Sequence, residues 1–257
     1  MTARIYTSLR EEAAACPAFQ APVERVCIGQ VWTLVQVAGL TGLCMSPQSY
    51  SRTLGWSGEL TGQPASMLID WLDSWQPFES VLAVATLNAV LSGSETAQRL
   101  QRRSEPLGTG NLAVFEALKH RLQGQVSVIG RYPGLNVPLE GIDFHCIERI
   151  PGEQDYPDQA AEYLLPESHW AFITASALAN KTLPRLLTLS QNSQTVLMGP
   201  SMPWSSVWQS VGVELIAGIV VDDADRLWRT VAEAGGVRIF QGGVSYRLLD
   251  LHAEQGE

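Results

Sequence analysis

Apolar and polar positions keep one rhythm in the first third of the chain and another after it. Residues 2–15 read as an opening helix, followed by three short strand-like runs at 23–29, 31–37 and 39–46. Gly29 and Gly39 sit between those runs and mark tight connections. Met67, Leu68, Trp71, Leu72 and Trp75 then fall on one face at helical spacing, with Pro64 near the start, and a second helix covers about residues 78–91. A small antiparallel sheet with helices packed on one face buries these stripes most economically. The stretch 92–110 is rich in glycine, proline and arginine and reads as a connection between domains with a short helix inside. It divides the chain into residues 1–105 and 106–257.

From a helix at 112–122 onward, strands and helices alternate. Strand-like runs fall at 125–130, 144–148, 170–176, 195–199 and 213–221. Helical segments fall between or after them, at 135–140, 158–165, 183–190, 203–211 and 224–234. Asp158, Thr182, Ser201 and Asp222 or Asp223 stand where helix caps belong, and Pro166, Gly212 and Gly235-Gly236 where helices stop. Apolar strands without alternation, joined by helices, predict a mostly parallel sheet covered on both faces. The tail 237–252 adds one or two edge strands. The fold class is therefore α/β, with a small α+β N-terminal domain ahead of the parallel sheet.

Composition narrows the partners. The 257 residues carry 17 basic and 26 acidic side chains, a net charge of −9, and 46% are hydrophobic. Such a chain can bury a core, and its acidic balance argues against nucleic acid, which needs a basic field. No apolar stretch approaches the roughly 20 residues of a membrane span. Arg10, Glu11 and Glu12 stand where a signal peptide would be apolar, so the expected setting is cytoplasmic. Cys16, Cys27, Cys44 and Cys146 form no C-x-x-C pair, which fits reduced thiols.

In an open α/β sheet, ligands bind beyond the carboxyl ends of the strands where strand order reverses. Four loops qualify. Gly130, Tyr132, Pro133 and Gly134 follow the first parallel strand, though not as G-x-G-x-x-G. Glu148 and Arg149 end the second, 18 positions after Gly130, near where many such sheets hold a ribose hydroxyl. Ser176, Asn180 and Thr182 follow the third. Gly199, Pro200 and Ser201 follow the fourth and could offer N–H groups and a hydroxyl to an anion. In the strand order 3-2-1-4-5, the first and fourth loops would face each other. Each loop also has an ordinary structural explanation as a tight turn, a strand-end ion pair or a helix cap. In the first domain, Asn88 interrupts an apolar helical face, so its amide must be paired internally or face a cleft. His120, His145, His169 and His252 are scattered without metal-ligand spacing, and no nucleophile elbow or phosphate loop occurs. No metal ligand or resident cofactor is assigned.

The strings Ile129-Gly130-Arg131-Tyr132-Pro133-Gly134-Leu135 and Glu148-Arg149, with Asp155-Tyr156-Pro157 and Ala160-Ala161-Glu162-Tyr163-Leu164-Leu165-Pro166, resemble the DUF364 family, labelled heavy-metal chelation proteins. So do the loop from Ser176 to Leu183, Met198-Gly199-Pro200-Ser201-Met202-Pro203, and the run from Gly212 to Val221. The helix carrying Asn88-Ala89 resembles the companion DUF4213 domain. The resemblance implies an N-terminal domain like that of enolase, a Rossmann-like domain related to methyltransferase folds, and a site in the cleft between them. It also implies condensation or hydrolysis in making pterin-, flavin- or siderophore-like chelators. Tyr132 replaces the more usual phenylalanine, Met202 a commoner threonine, and Lys181 a frequent glycine.

The leading expectation is a small anionic or heterocyclic molecule in the interdomain cleft, held by Asn88, Gly130, Tyr132, Pro133, Gly134, Glu148, Arg149, Ser176, Asn180, Thr182, Gly199, Pro200 and Ser201. One alternative is a non-catalytic binder of a metal–chelate complex, which brings its own ligands. Another is an S-adenosylmethionine-dependent enzyme with Glu148 on the ribose. A homodimer is compatible with all three.

Overall fold

The computed structural model describes residues 2–51, 53–132 and 142–253. The expected helix at 135–140, and Pro133 and Gly134, lie outside them. The first part of the chain runs α1 (Thr2–Ala14), β1 (Val23–Ile28), β2 (Trp32–Val37), β3 (Leu40–Met45), α2 (Ala65–Asp70), α3 (Pro77–Ser92), α4 (Glu95–Arg103) and β4 (Glu105–Pro106). Then come α5 (Ala113–Leu118), β5 (Gln125–Ile129), β6 (Asp143–Glu148), β7 (Tyr156–Pro157), α6 (Ala161–Leu164), β8 (Trp170–Thr174), α7 (Ser176–Ala179) and α8 (Leu183–Leu189). The chain closes with β9 (Gln194–Met198), α9 (Val207–Ser210), β10 (Leu215–Val221), α10 (Ala224–Ala232) and β11 (Val244–Asp250).

Strands β1, β2 and β3 form the small antiparallel sheet, with Leu34 opposite Leu43 in the β2–β3 register. Helix α3 starts at a Gln76 cap with Pro77 in its first turn and lies across β2 and β3. The approach is so close that a side chain on Gly42 would come within 2.2 Å of Ala85 O and Ala89 N. The other face of this sheet is also covered, beyond what the sequence pattern anticipates. Trp228 of α10 donates Nε1–H to Thr41 Oγ1 at 3.2 Å, Arg25 sits 4.0 Å over the Trp228 ring, and Trp32 Nε1–H reaches Gly236 O at 3.0 Å. One apolar core joins β1–β3 and α3 to α6, α7 and α8; the other joins the opposite face of β2 and β3 to α5 and α10. Both cores draw on both ends of the sequence.

The large sheet runs β4-β11-β10-β9-β8-β5-β6-β7, with β5 to β10 parallel and β11 antiparallel to β10. This corrects the expected adjacency of the first and fourth strand-like runs. The two-residue β7 pairs outside β6 and takes the third position, so β5 neighbours β8, and β9 lies one strand further. Nor is β11 an edge, because β4 pairs outside it.

Several helix limits also differ. Helix α9 begins at Val207, not near residue 203, and Ser205 rather than Ser201 accepts from Val207 N, at 3.1 Å. Asp158 heads a 3₁₀ turn without capping it, and Pro166 sits in the first turn of another rather than ending a continuous helix. Thr182 occupies a helix cap position but makes no cap bond. Trp75 lies past the end of its helical stripe and is 82% exposed. Asp223 does cap α10, accepting from Arg226 N at 2.9 Å. No helix among the described residues is long and apolar enough to cross a membrane.

Candidate functional site

A cavity of about 280 Å³ opens where the small sheet meets the carboxyl end of β10. Gly39, Leu40, Thr41, Gly42 and Leu43 form one wall; Pro200, Met202 and Trp204 form another; Ile219 to Asp222 and Ala224 form a third. Asn88, Ser92 and Gln101 close it from α3 and α4. The wall mixes apolar and polar surface in nearly equal parts, and its volume lies just below the range of roughly 300–1,000 Å³ usual for ligand sites. Among the described residues, Asp222 is the only charged one that lines it.

Asn88 has both expected properties. Its amide Nδ2 donates to Leu43 O at 2.8 Å and to Ser201 O at 3.1 Å, while the residue lines the cavity. Among the described residues no donor reaches its Oδ1, which leaves one acceptor for a ligand. Ser201 Oγ accepts from Met45 N at 2.9 Å, so it stands behind the wall as a seam between β3 and the loop after β9. Burial pushes the neighbouring Cys44 thiol up to about 12, partly offset by Ser201 and Met45, so this cysteine stays neutral.

Gly130, Tyr132, Ser176 and Gly199 meet at a second place, the ends of β5, β8 and β9. A β-carbon on Gly199, at φ +115°, would have the Tyr132 hydroxyl at 3.8 Å and Thr174 Oγ1 at 4.0 Å, and one on Gly130 would crowd Thr174 at 3.0 Å. Thr174 Oγ1 and Ser176 Oγ share a hydrogen bond at 3.1 Å. None of these four residues lines the cavity.

Glu148 and Arg149 lie at the outer edge. Glu148 accepts from Arg131 N at 2.7 Å through one oxygen and from Arg149 N at 2.8 Å through the other. Its carboxylate therefore pins the strand-end turns, and the geometry offers the S-adenosylmethionine reading no support. Arg131 Nη1 contacts Asp155 at 2.5 Å, and Gly152 N–H donates to the same oxygen at 2.8 Å. Desolvation works to raise the Asp155 carboxyl, but Gly152, Cys146 and Arg131 outweigh it and hold it below its ordinary value. Burial, then Asp155 and Glu148, push the Cys146 thiol up to about 12 against the opposing Arg131.

Asn180 and Thr182 are brought to neither place. Asn180 Oδ1 accepts from Thr182 N at 3.1 Å and from its hydroxyl at 2.6 Å, a local turn. Between them Lys181, at φ +69°, donates Nζ–H to Leu72 O and sits 4.6 Å over the Tyr6 ring. Burial lowers Lys181 to about 8 despite the nearby Asp73. Its backbone is in the left-handed region, where glycine is the easier occupant.

Sequence reasoning missed Thr41, Gln101, Trp204 and Asp222 of the cavity wall, and Thr174 and Tyr246 near Gly199. Only Asp222 had a local signal, as a possible helix cap. Among the described residues, no three His, Cys, Asp or Glu side chains come together in a way that could hold a metal ion.

Two family profiles match the chain. That of DUF364, described as "Putative heavy-metal chelation", covers residues 113–250, and that of DUF4213, with the same description, covers residues 11–91. A solved DUF364-family protein of unknown function from Desulfitobacterium hafniense DCB-2 is 25% identical and superposes with a TM-score of 0.82, covering 96% of this chain and 99% of its own. Another, from Pyrococcus horikoshii, is 19% identical with a TM-score of 0.75 over 97% and 99%, and shares the fold. No curated protein matches the chain.

Proposed function

Because the chain belongs to the DUF364 family and carries a DUF4213 segment ahead of that domain, we propose that it binds a small heterocyclic, chelator-like molecule in the cavity where the two segments meet. The observation that carries this reading is the shared wall. Residues 39–43 and Asn88 come from one matched segment, and residues 200–204 and 219–224 from the other. The seam of Asn88 on Ser201 O and Ser201 on Met45 N holds those walls in register. We take the two modules to divide near residues 105 and 106, and the setting to be a reducing cytoplasm with all four thiols free.

The wall chemistry selects among the chelator classes. Among the described residues Asp222 is the only charged one in the wall, so an anion would meet a carboxylate with no cation of theirs to balance it. A flat, neutral, nitrogen-rich ring suits the site better: Trp204 and Leu43 offer apolar contact, and Asn88 Oδ1 and Asp222 accept from ring N–H or amino groups. That description fits a pterin or flavin ring better than a carboxylate-rich siderophore.

Binding without chemistry is the reading we favour. Among the described residues Asp222 is the one titratable side chain in the wall, so they supply no acid–base pair there for condensation or hydrolysis. Metal would arrive already held by the organic molecule. Thermal unfolding with neopterin, riboflavin and 2,3-dihydroxybenzoate, each with and without copper(II), tests the proposal. A ligand at 100 times its Kd adds about 2.7 kcal/mol, a rise of roughly 5–10 °C for a chain of this size. Stabilisation by a ring compound supports the reading. Stabilisation by copper alone, with no response to any organic probe, contradicts it.

A further inference from the structure

Part of the main chain that lines the cavity has no partner in the fold. Strand β3 ends the small sheet, so every second residue turns its N–H and C=O away from β2. Three bonds fix which ones. Ser46 N donates back across the hairpin to Val31 O at 2.9 Å, whereas Leu43 O accepts from Asn88 and Met45 N donates to Ser201 Oγ. Thr41, two residues before Leu43, therefore turns outward as well. Among the described residues, no hydrogen bond reaches Thr41 N–H, Thr41 O or Leu43 N–H. Both residues are buried, and both line the cavity. Buried main-chain groups are nearly always paired, so this row of donor, acceptor and donor calls for a partner arriving from the cavity.

We infer that this free edge of β3 reads the lactam edge of a ring. The ring carbonyl accepts from one of the two N–H groups, and the neighbouring ring N–H donates to Thr41 O between them. The inference rests on the reading of the cavity as the site of a heterocycle, and it names the part of the ring that is recognised. An extended strand offers its outward donors and acceptors in alternation, so a flat group with an acceptor and a donor on adjacent atoms meets two of them at once. The free stretch is short. Leu40 pairs with Val37 where the hairpin closes, and past Leu43 N–H the edge is taken by Asn88 and Ser201. One amide unit suits that length; an added peptide strand does not. The row carries no charge and is held in place by the β2–β3 pairing, which suits a neutral, rigid occupant. Asn88 Oδ1 and Asp222 are left for an amino group elsewhere on the ring.

Titrating the isotope-labelled full chain with pterin and with 3-methylpterin, in which a methyl group replaces the lactam N–H, tests it. Pterin should shift the amide signals of Thr41 and Leu43 more than those of Gly42 and Cys44, which face β2, and should slow their exchange with solvent. 3-Methylpterin should bind about 10-fold more weakly, the loss of one hydrogen bond that leaves Thr41 O unpaired. Pterin binding, seen as a rise in unfolding temperature, with both edge amides silent overturns the edge contact and leaves the cavity as the site. Equal affinity for the two compounds does the same. If no ring compound binds, the reading of the cavity fails and the edge contact falls with it.

Discussion

The carboxyl ends of the inner and outer strands of the large sheet hold their loops by opposite means. At the inner end, a neutral amide and a hydroxyl join segments far apart in sequence: Asn88 bonds to Leu43 O and Ser201 O, and Ser201 to Met45 N. At the outer end, charged groups do the work over short separations: Glu148 bonds to the backbone of Arg131 and Arg149, and Arg131 pairs with Asp155. Neutral pairs shielded from water hold position without depending on pH or salt, and losing one partner strands the other. Charged pairs depend on pH, and where one partner is open to solvent, as Arg131 is at 48% exposure against 4% for Asp155, salt weakens them as well. The cavity lies beside the first kind of joint.

That contrast gives a ranking of effects. Gly42→Val should do most damage, because its side chain meets α3 backbone atoms at 2.2 Å and the helix must move. A loss of about 3 kcal/mol or more is expected in urea unfolding. An unchanged midpoint would show that the helix–sheet contact is loose. Asn88→Leu should cost about 2–3 kcal/mol by leaving two carbonyls unpaired, with the loss the same at pH 5 and pH 8. A pH-dependent loss would remove the distinction between the two ends.

Asp155→Asn should have the smallest effect, about 1 kcal/mol at neutral pH and less in high salt, since only the Arg131 end of the pair is open to solvent. Its sign with pH is fixed by the lowered carboxyl. The contribution is complete above the ordinary carboxylate range and fades as pH falls through the depressed folded value. Wild type and variant should therefore converge in acid. Divergence there would mean that Asp155 is protonated in the fold.

Much of the fold was legible in local patterns. The shift from strand-like runs to strand–helix alternation located the two sheets, because burial on one or both faces imposes different periodicities. Strand order was not legible, since it turned on the two-residue β7, too short to leave a pattern. Of the candidate residues, Asn88 was found because an amide on an apolar face must be satisfied. Thr41, Gln101 and Asp222 were missed as cavity residues because they are ordinary polar positions that only the tertiary fold assembles. Glu148 stood at the expected distance from Gly130, yet its oxygens meet backbone N–H groups, an assignment that spacing alone does not reveal.

The central claim is that the cavity between the matched segments is the ligand site, and a crystal structure of the full chain grown with neopterin tests it most directly. The account predicts the ring between Trp204 and Leu43, with its N–H edge on Asn88 and Asp222. Density instead in the hollow of about 310 Å³ at the opposite strand ends, lined by Gln123, His169 and Glu214, would contradict it.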